Sequence, residues 1–238
     1  MLQAIFFDLD GTLADDGDPV VESLAEACAV ICRRWPELDA KELIVAYRQV
    51  SDTAWADYDR HLRHLQSPEA MLSFVWSRTL DRWSLHDPLV VQETVETYWR
   101  HRLRNCRIYP DTVPVLQQLA GRFPLCLLTN GAPAMQRAKF AATGLAPFFQ
   151  HVFVGGEFAR GKPDPAIFHA ALKAADCRPE HAIHIGDSLT HDIAGARGVG
   201  ISNVWLNRRG LAATDHAPDF EIANLEQLLE CLEQLRNE

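Results

Sequence analysis

Five carboxylates crowd the segment "DLDGTLADDGD", directly behind the apolar run "AIFF": Asp8, Asp10, Asp15, Asp16 and Asp18. Like charges at that density repel, so either the segment is a solvated turn or a positive group belongs beside it. Three further apolar runs end in residues of matching chemistry. "LCLL" leads into Thr129, Asn130 and Gly131; "VFVGGE" leads towards Lys162 in "RGKPDP"; "AIHI" leads into Asp187 and Asp192 of "GDSLTHD". Any one of these is an ordinary turn composition. Together, Asp8, Asp10 and Asp187, with Asp192 behind them, make a hard, oxygen-rich donor set suited to Mg²⁺. Lys162 adds a point positive charge, Thr129 a hydroxyl, and the turn at Asn130 and Gly131 backbone N–H donors. With a cation, those groups match the three oxygens of a phosphoryl group.

Such residues act together only if one framework presents them. The runs "AIFF" (4–7), "LCLL" (125–128), "VFV" (152–154), "AIHI" (182–185) and "SNVWL" (202–206) read as buried strands. Helical spacing fills 111–121, 132–143, 164–175 and 190–197. Alternating strands and helices predict parallel β-α-β units, an α/β fold with a doubly wound parallel sheet. Ligands of such sheets bind outside the carboxyl ends of the strands, where all the residues above fall. The tail "LEQLLECLEQL" sets Leu225, Leu228, Leu229, Leu232 and Leu235 on one stripe, an amphipathic closing helix. Between Gly17 and Gly121 there is no glycine, and five of the six tryptophans (Trp35, Trp55, Trp76, Trp83, Trp99) lie in that gap. A stretch without glycine or strand-like runs, broken at Pro36, Pro68 and Pro88, predicts helices joined by short turns. The expected organisation is a core of residues 1–16 and 106–238, with a helical cap at 17–105 inserted after the first strand.

The composition of the 238-residue chain, 47% hydrophobic and 23% charged, is that of a soluble globular protein. With 32 acidic against 23 basic residues and a net charge of −9, a nucleic-acid partner is not expected. No apolar run approaches the roughly 18 residues of a membrane span, and no basic, signal-like segment precedes "AIFF", so no membrane partner and a cytoplasmic location are expected. The six cysteines show no C-x-x-C pair. Cys28 and Cys32 share a helix face without a second ligand pair, which favours buried reduced thiols over a metal site. "GEFARGK" fits the pattern of a phosphate-binding P-loop, but Pro163 stands where that loop needs Ser or Thr and lacks an N–H. It reads better as the approach to helix 164–175.

"DLDGT" at 8–12, Thr129 in "LLTNG", Lys162 in "GKPDP" and "IGDSLTHD" at 185–192 resemble, in order, the four motifs of the haloacid dehalogenase-like (HAD) superfamily of phosphotransferases. The predicted helical insertion resembles its four-helix-type cap. "LLTNG", "VGGE" and "VWLN" are similar to the branch of small-metabolite phosphatases that includes N-acetylneuraminate 9-phosphatase and pyrimidine nucleotidases. The resemblance implies a Mg²⁺-dependent phosphatase acting through an aspartyl-phosphate. Asp8 would be the nucleophile, and Asp10 the acid that protonates the leaving alcohol and then the base towards water. Asp8, the carbonyl of Asp10 and Asp187 would hold Mg²⁺; Thr129, Asn130 and Lys162 would hold the phosphoryl group; Asp192 would stand behind them. The superfamily's dehalogenases lack an acid at the place of Asp10, because a halide leaves without a proton. Its mutases keep both aspartates, and a non-catalytic nucleotide-binding module is a further alternative. The expected partner is a small phosphate ester, and the expected assembly a monomer or homodimer.

Other polar residues invite plainer readings. His61 and His64 read as one turn of a solvated cap helix, His184 as a hydrogen-bonded core residue, and His191 as a helix-surface residue beside Asp192. Arg33, Arg34, Arg100, Arg102 and Arg104 read as solvated helix charges, the cap tryptophans as helix packing, and Asp15, Asp16 and Asp18 as a flexible, solvated lead into the cap.

Overall fold

The computed structural model describes residues 1–212 and 217–237, with the side chains of 235–237, Leu235 of the predicted stripe among them, outside that description. The chain divides into two compact units, Met1–Asp16 with Arg107–Glu238, and Gly17–Cys106.

Among the described residues, the first unit has eight strands: β1 (Ala4–Phe7), β2 (Ala14–Asp15), β3 (Arg107–Ile108), β4 (Leu125–Thr129), β5 (His151–Val154), β6 (Ala182–Gly186), β7 (Ser202–Leu206) and β8 (Phe220–Ile222). Six form one parallel sheet in the order β5-β4-β1-β6-β7-β8. The chain winds from β1 outwards through β4 to β5, then returns to β6 on the other side of β1. Order therefore reverses at β1, and the crevice of a doubly wound sheet opens at the carboxyl ends of β4, β1 and β6. β2 and β3 pair antiparallel as a separate short ribbon. Neither that ribbon nor β8 was expected from the sequence: two or three residues of mixed polarity leave no periodic signal.

The second unit is helical: α1 (Asp18–Arg34), α2 (Ala40–Ala56), α3 (Tyr58–His61), α4 (Pro68–Leu80) and α5 (Pro88–Arg104). Polar side chains start three of these helices. Asp39 accepts from the N–H groups of Lys41 and Glu42, Ser67 from Ala70, and Asp87 from Leu89 and Val90. Trp76 is fully buried against Tyr47, and Trp99 is buried in α5, so both pack helices. Arg102 is also buried and not the solvated charge expected. His61 ends α3 while His64 falls in the following turn, so the two share no helix.

The remaining helices flank the sheet: α6 (Thr112–Leu119), α7 (Pro133–Thr143), α8 (Pro165–Ala174), α9 (Ala194–Gly198) and α10 (Leu228–Asn237). Side chains alternate across a strand, so β1 feeds two cores. Ile5 and Phe7 join Val115, Leu116 and Leu119 of α6 and Leu228 of α10; Ala4 and Phe6 join Ile167, Phe168 and Ala171 of α8. Burial on both faces explains why the strands read as continuous apolar runs instead of alternating ones. Leu225, Leu228 and Leu232 of the tail stripe are buried in the first core.

Phe6 is fully buried at the centre of the second core. Phe6→Ala is therefore expected to cost about 3–5 kcal/mol, read as a lower urea midpoint; a loss under about 1 kcal/mol would contradict this packing.

Candidate active site

Asp8 is the first residue past β1, and its N–H still bonds to Ile185 O of β6 at 2.9 Å. Its carboxylate Oδ1 accepts from Lys162 Nζ at 2.7 Å. The same ammonium donates to Asp192 Oδ1 at 2.6 Å and to Leu128 O at 2.6 Å. Lys162 and Asp192 are almost wholly buried. Asp192, in a single π-helical turn over Leu189–Ile193, also accepts from Ser188 N at 3.1 Å and lies 2.9 Å from His184 Nε2. A carboxylate only accepts, so His184 carries its proton on Nε2.

These contacts set the charges. Burial raises the Asp192 carboxyl, but Lys162 and then His184 outweigh it and hold Asp192 well below the usual range. Burial pulls Lys162 down, and Asp192 and Asp8 more than reverse that. Burial holds His184 below its ordinary value in spite of Asp192, so the ring stays neutral. Asp8 is raised well above the ordinary value by burial, against Lys162, and further by Asp192, Asp187 and Asp10. Asp187 is pushed up to about 6 by burial and next by the charge of Asp192.

One lysine therefore faces more negative charge than it can neutralise. Asp8, Asp187 and Asp192 each bring a carboxylate oxygen to a common locus, all within 4.8 Å of one another. Asp192 already spends both oxygens on Lys162, His184 and Ser188, so Asp8 and Asp187 are the carboxylates with capacity to spare. Hard oxygen donors under mutual repulsion, in a poorly solvated place, suit a small divalent cation.

The loop from Asp8 to Ala14 is tightly determined. Gly11 N donates to Ala14 O at 2.8 Å, and both Leu13 N and Ala14 N reach Leu9 O at 2.9 Å. Gly11 has φ +78°, and a Cβ there would lie 2.4 Å from Asp187 Oδ2. Only glycine gives both the left-handed turn and the room for Asp187. From outside, Arg208 donates to Thr12 O at 3.0 Å, forms a fork on Asp111 at 2.8 and 2.9 Å, and stacks over the Tyr109 ring at 3.8 Å. Asp15 lies in β2 against Arg107, and Asp16 pairs with Lys139 at 3.1 Å. These two are thus ordered parts of the first unit, not a solvated lead; Asp18 opens the first turn of α1.

Thr129 ends β4 and is buried. The Asn130 side chain clasps the backbone of Lys162: Nδ2 donates to Lys162 O at 2.9 Å, and Oδ1 accepts from Lys162 N at 2.7 Å. Gly155 and Gly161 allow this approach, since a Cβ on either would stand 2.6 or 2.4 Å from Asn130 Oδ1. Gly161, the second glycine of the P-loop-like pattern, thus helps to hold Lys162 in place. Its ammonium points to Asp8 and Asp192, and its peptide bond to Pro163 is cis.

Residues 2–200 match the family described as haloacid dehalogenase-like hydrolase. The chain belongs to this family. A phosphoserine phosphatase of Thermus thermophilus is 38% identical over 59% of this chain and 57% of its own length. A glyceraldehyde 3-phosphate phosphatase of Pyrococcus furiosus is 31% identical over 98% of this chain and 94% of its own. Human N-acylneuraminate-9-phosphatase is 26% identical over 91% and 87%, in line with the finer resemblance in the motifs. The crystal structure of a 2-haloacid dehalogenase from Pseudomonas syringae superposes with a TM-score of 0.74, at 29% identity, over 98% of this chain and 99% of that one.

Two side chains of this HAD-like site lie outside the four motifs. Gln136 on α7 donates through Nε2 to Asp10 Oδ2 at 2.8 Å and to Thr129 Oγ1 at 2.6 Å. Lys139 Nζ reaches Asp10 Oδ1 at 2.6 Å and Oδ2 at 2.7 Å, besides Asp16. The only signal in the sequence was their spacing of three behind "TNG", which reads as a solvated helix face. His184 is the hydrogen-bonded core residue expected, and its partner there is Asp192, whereas His191 is exposed and 3.0 Å from Ser188 Oγ. Among the described residues no helix is long and apolar enough to cross a membrane.

Gly11→Ala should lower stability by about 1–2 kcal/mol from the left-handed backbone alone, before the displacement of Asp187 adds to it. Chemical denaturation reads the loss, and a neutral substitution would contradict the described loop.

Proposed function

We propose that this chain is a Mg²⁺-dependent phosphatase of a small phosphorylated metabolite, working through an aspartyl-phosphate on Asp8. The observation that carries the reading is the Asp8 carboxylate set against Lys162 at 2.7 Å, with Asp187 and the buried Thr129 at neighbouring strand ends. The three relatives named above are phosphatases of small phosphorylated compounds, which supports the substrate class.

Asp8 attacks phosphorus in line. The bond from phosphorus to the ester oxygen breaks with its electron pair on that oxygen, which takes a proton from Asp10. Asp10 then removes a proton from a water whose oxygen attacks phosphorus, which frees inorganic phosphate and restores the Asp8 carboxylate. Thr129 and the backbone N–H at Asn130 hold phosphoryl oxygens, and the Asn130 side chain keeps Lys162 in register. As Asp8 turns to phosphorus, Lys162 exchanges that contact for a phosphoryl oxygen and keeps Asp192. Mg²⁺ held by the Asp8 side chain, the Asp10 carbonyl and Asp187 would supply positive charge to the phosphoryl group. By the family resemblance, the helical unit, residues 17–106, would serve as a cap that excludes water and selects the leaving group. The dehalogenase likeness is outweighed by Asp10, since carbon–halogen cleavage has no use for a proton donor there. A mere nucleotide-binding module needs neither the nucleophile nor the acid.

Phosphate release from p-nitrophenyl phosphate, phosphoserine and sugar phosphates tests this. Activity should require Mg²⁺, vanish with chelator, and fall on the order of 10⁴-fold in Asp8→Asn. Mg²⁺ should also raise the melting temperature, by about 2.7 kcal/mol of stability at a hundred times its Kd. Metal-independent turnover, or full activity in Asp8→Asn, would refute the proposal.

A further inference from the structure

Gln136 and Lys139 lie three apart on α7, so they project from one helix face. They are 5% and 7% exposed, and between them they reach both oxygens of Asp10. Lys139 also holds Asp16, so one ammonium grips both ends of the segment from Asp10 to Asp16. Gln136 adds Thr129, which ties Asp10 to the end of β4.

Stability is a poor reason for this cluster. Lys139 is buried while Asp10 and Asp16 stay part-exposed, so desolvation of the ammonium offsets much of what the pairing gains in contact with water. What the cluster supplies is direction. Asp10 sits in a one-turn loop with two free side-chain torsions, and proton transfer works only within hydrogen-bond reach of the receiving oxygen. Three donor contacts from one rigid helix reduce those torsions to one orientation.

We propose that Lys139, together with Gln136, is the positioning residue of Asp10. It fixes the line along which Asp10 meets the leaving-group oxygen, and through Asp16 it holds the whole first loop to α7. This rests on the phosphatase reading of Asp10 given above.

The test is kcat/KM across phosphate esters of graded leaving group, from p-nitrophenyl phosphate to glycerol phosphate. That ratio covers only steps up to departure of the leaving group. A nitrophenolate leaves with little help, whereas an alkoxide needs the proton. Lys139→Met is expected to lose about 10- to 100-fold on the alkyl ester and no more than about threefold on p-nitrophenyl phosphate, chiefly in kcat. Lys139→Arg should recover part of the loss, and Lys139→Met in an Asp10→Asn background should cause no further loss on the alkyl ester. An equal loss across the series, or an additive loss in that background, overturns the proposal. Should Lys139→Met fail to fold by circular dichroism, Gln136→Met must show the same steepened leaving-group dependence or the proposal falls. A wild type that releases no phosphate from any ester would refute the phosphatase reading itself, a result distinct from either.

Discussion

The structure of the first unit turns on one buried ammonium. Lys162 joins three strand ends: Asp8 after β1, Leu128 O on β4, and Asp192 in the turn after β6. Removing such a charge from water is costly unless every N–H is used and the acceptors are fixed. Both conditions trace to the fold. The sheet order puts β1 between β4 and β6, the Asn130 clasp fixes the lysine backbone, and His184 with Ser188 N fixes Asp192. The site is thus a consequence of strand order plus a few side chains that lock it.

The rest of the unit supplies rigidity. Both faces of β1 are apolar and fully buried, so Asp8 emerges from a strand with no freedom to slide. A one-residue slip would exchange the two cores and carry Asp8 away from Lys162. The first loop is gripped from two sides, by Arg208 on Thr12 O and by Lys139 on Asp10 and Asp16. Tyr109 N and Thr112 Oγ1 both donate to Leu13 O, which anchors the same loop to the start of α6. Preorganisation of this kind is what electrostatic catalysis requires, because groups already in place need no reorganisation during the reaction.

Much of this was legible in the sequence. Doubly buried parallel strands announce themselves as unbroken apolar runs, and "AIFF" and "SNVWL" match β1 and β7 residue for residue. Residues at strand ends were legible because turn positions carry little packing information, so several acids, a lysine and a threonine stood out there. Gln136 and Lys139 were not legible. On a helix, polar residues three apart look like solvent-facing ones, and only the fold shows that this face of α7 meets Asp10. Asp15 and Asp16 failed for the related reason that charge density was read as solvation, when Lys139 and Arg107 lay far along the chain. His184 was correctly placed in the core, yet its partner, eight residues on, became visible only through the π-helical turn that brings Asp192 back over β6.

The two aspartates of "DLDGT" show how one short loop can hold two carboxylates of different character. Each has its own lysine, and each lysine bridges to a second carboxylate: Lys162 between Asp8 and Asp192, Lys139 between Asp10 and Asp16. The environments differ in depth. The side chains of Asp8 and Lys162 are 8% and 2% exposed, those of Asp10 and Asp16 25% and 40%. A deep carboxylate shielded from water suits a nucleophile, and a shallower one with access to water suits a group that must give and take protons. Asp187 stands apart, since no basic side chain forms an ion pair with it among the described residues, and its carboxyl is pushed up to about 6. Two ammonium groups set against four carboxylates leave the site negative, Asp187 beside Asp8 adds to that excess, and a divalent cation there would offset it.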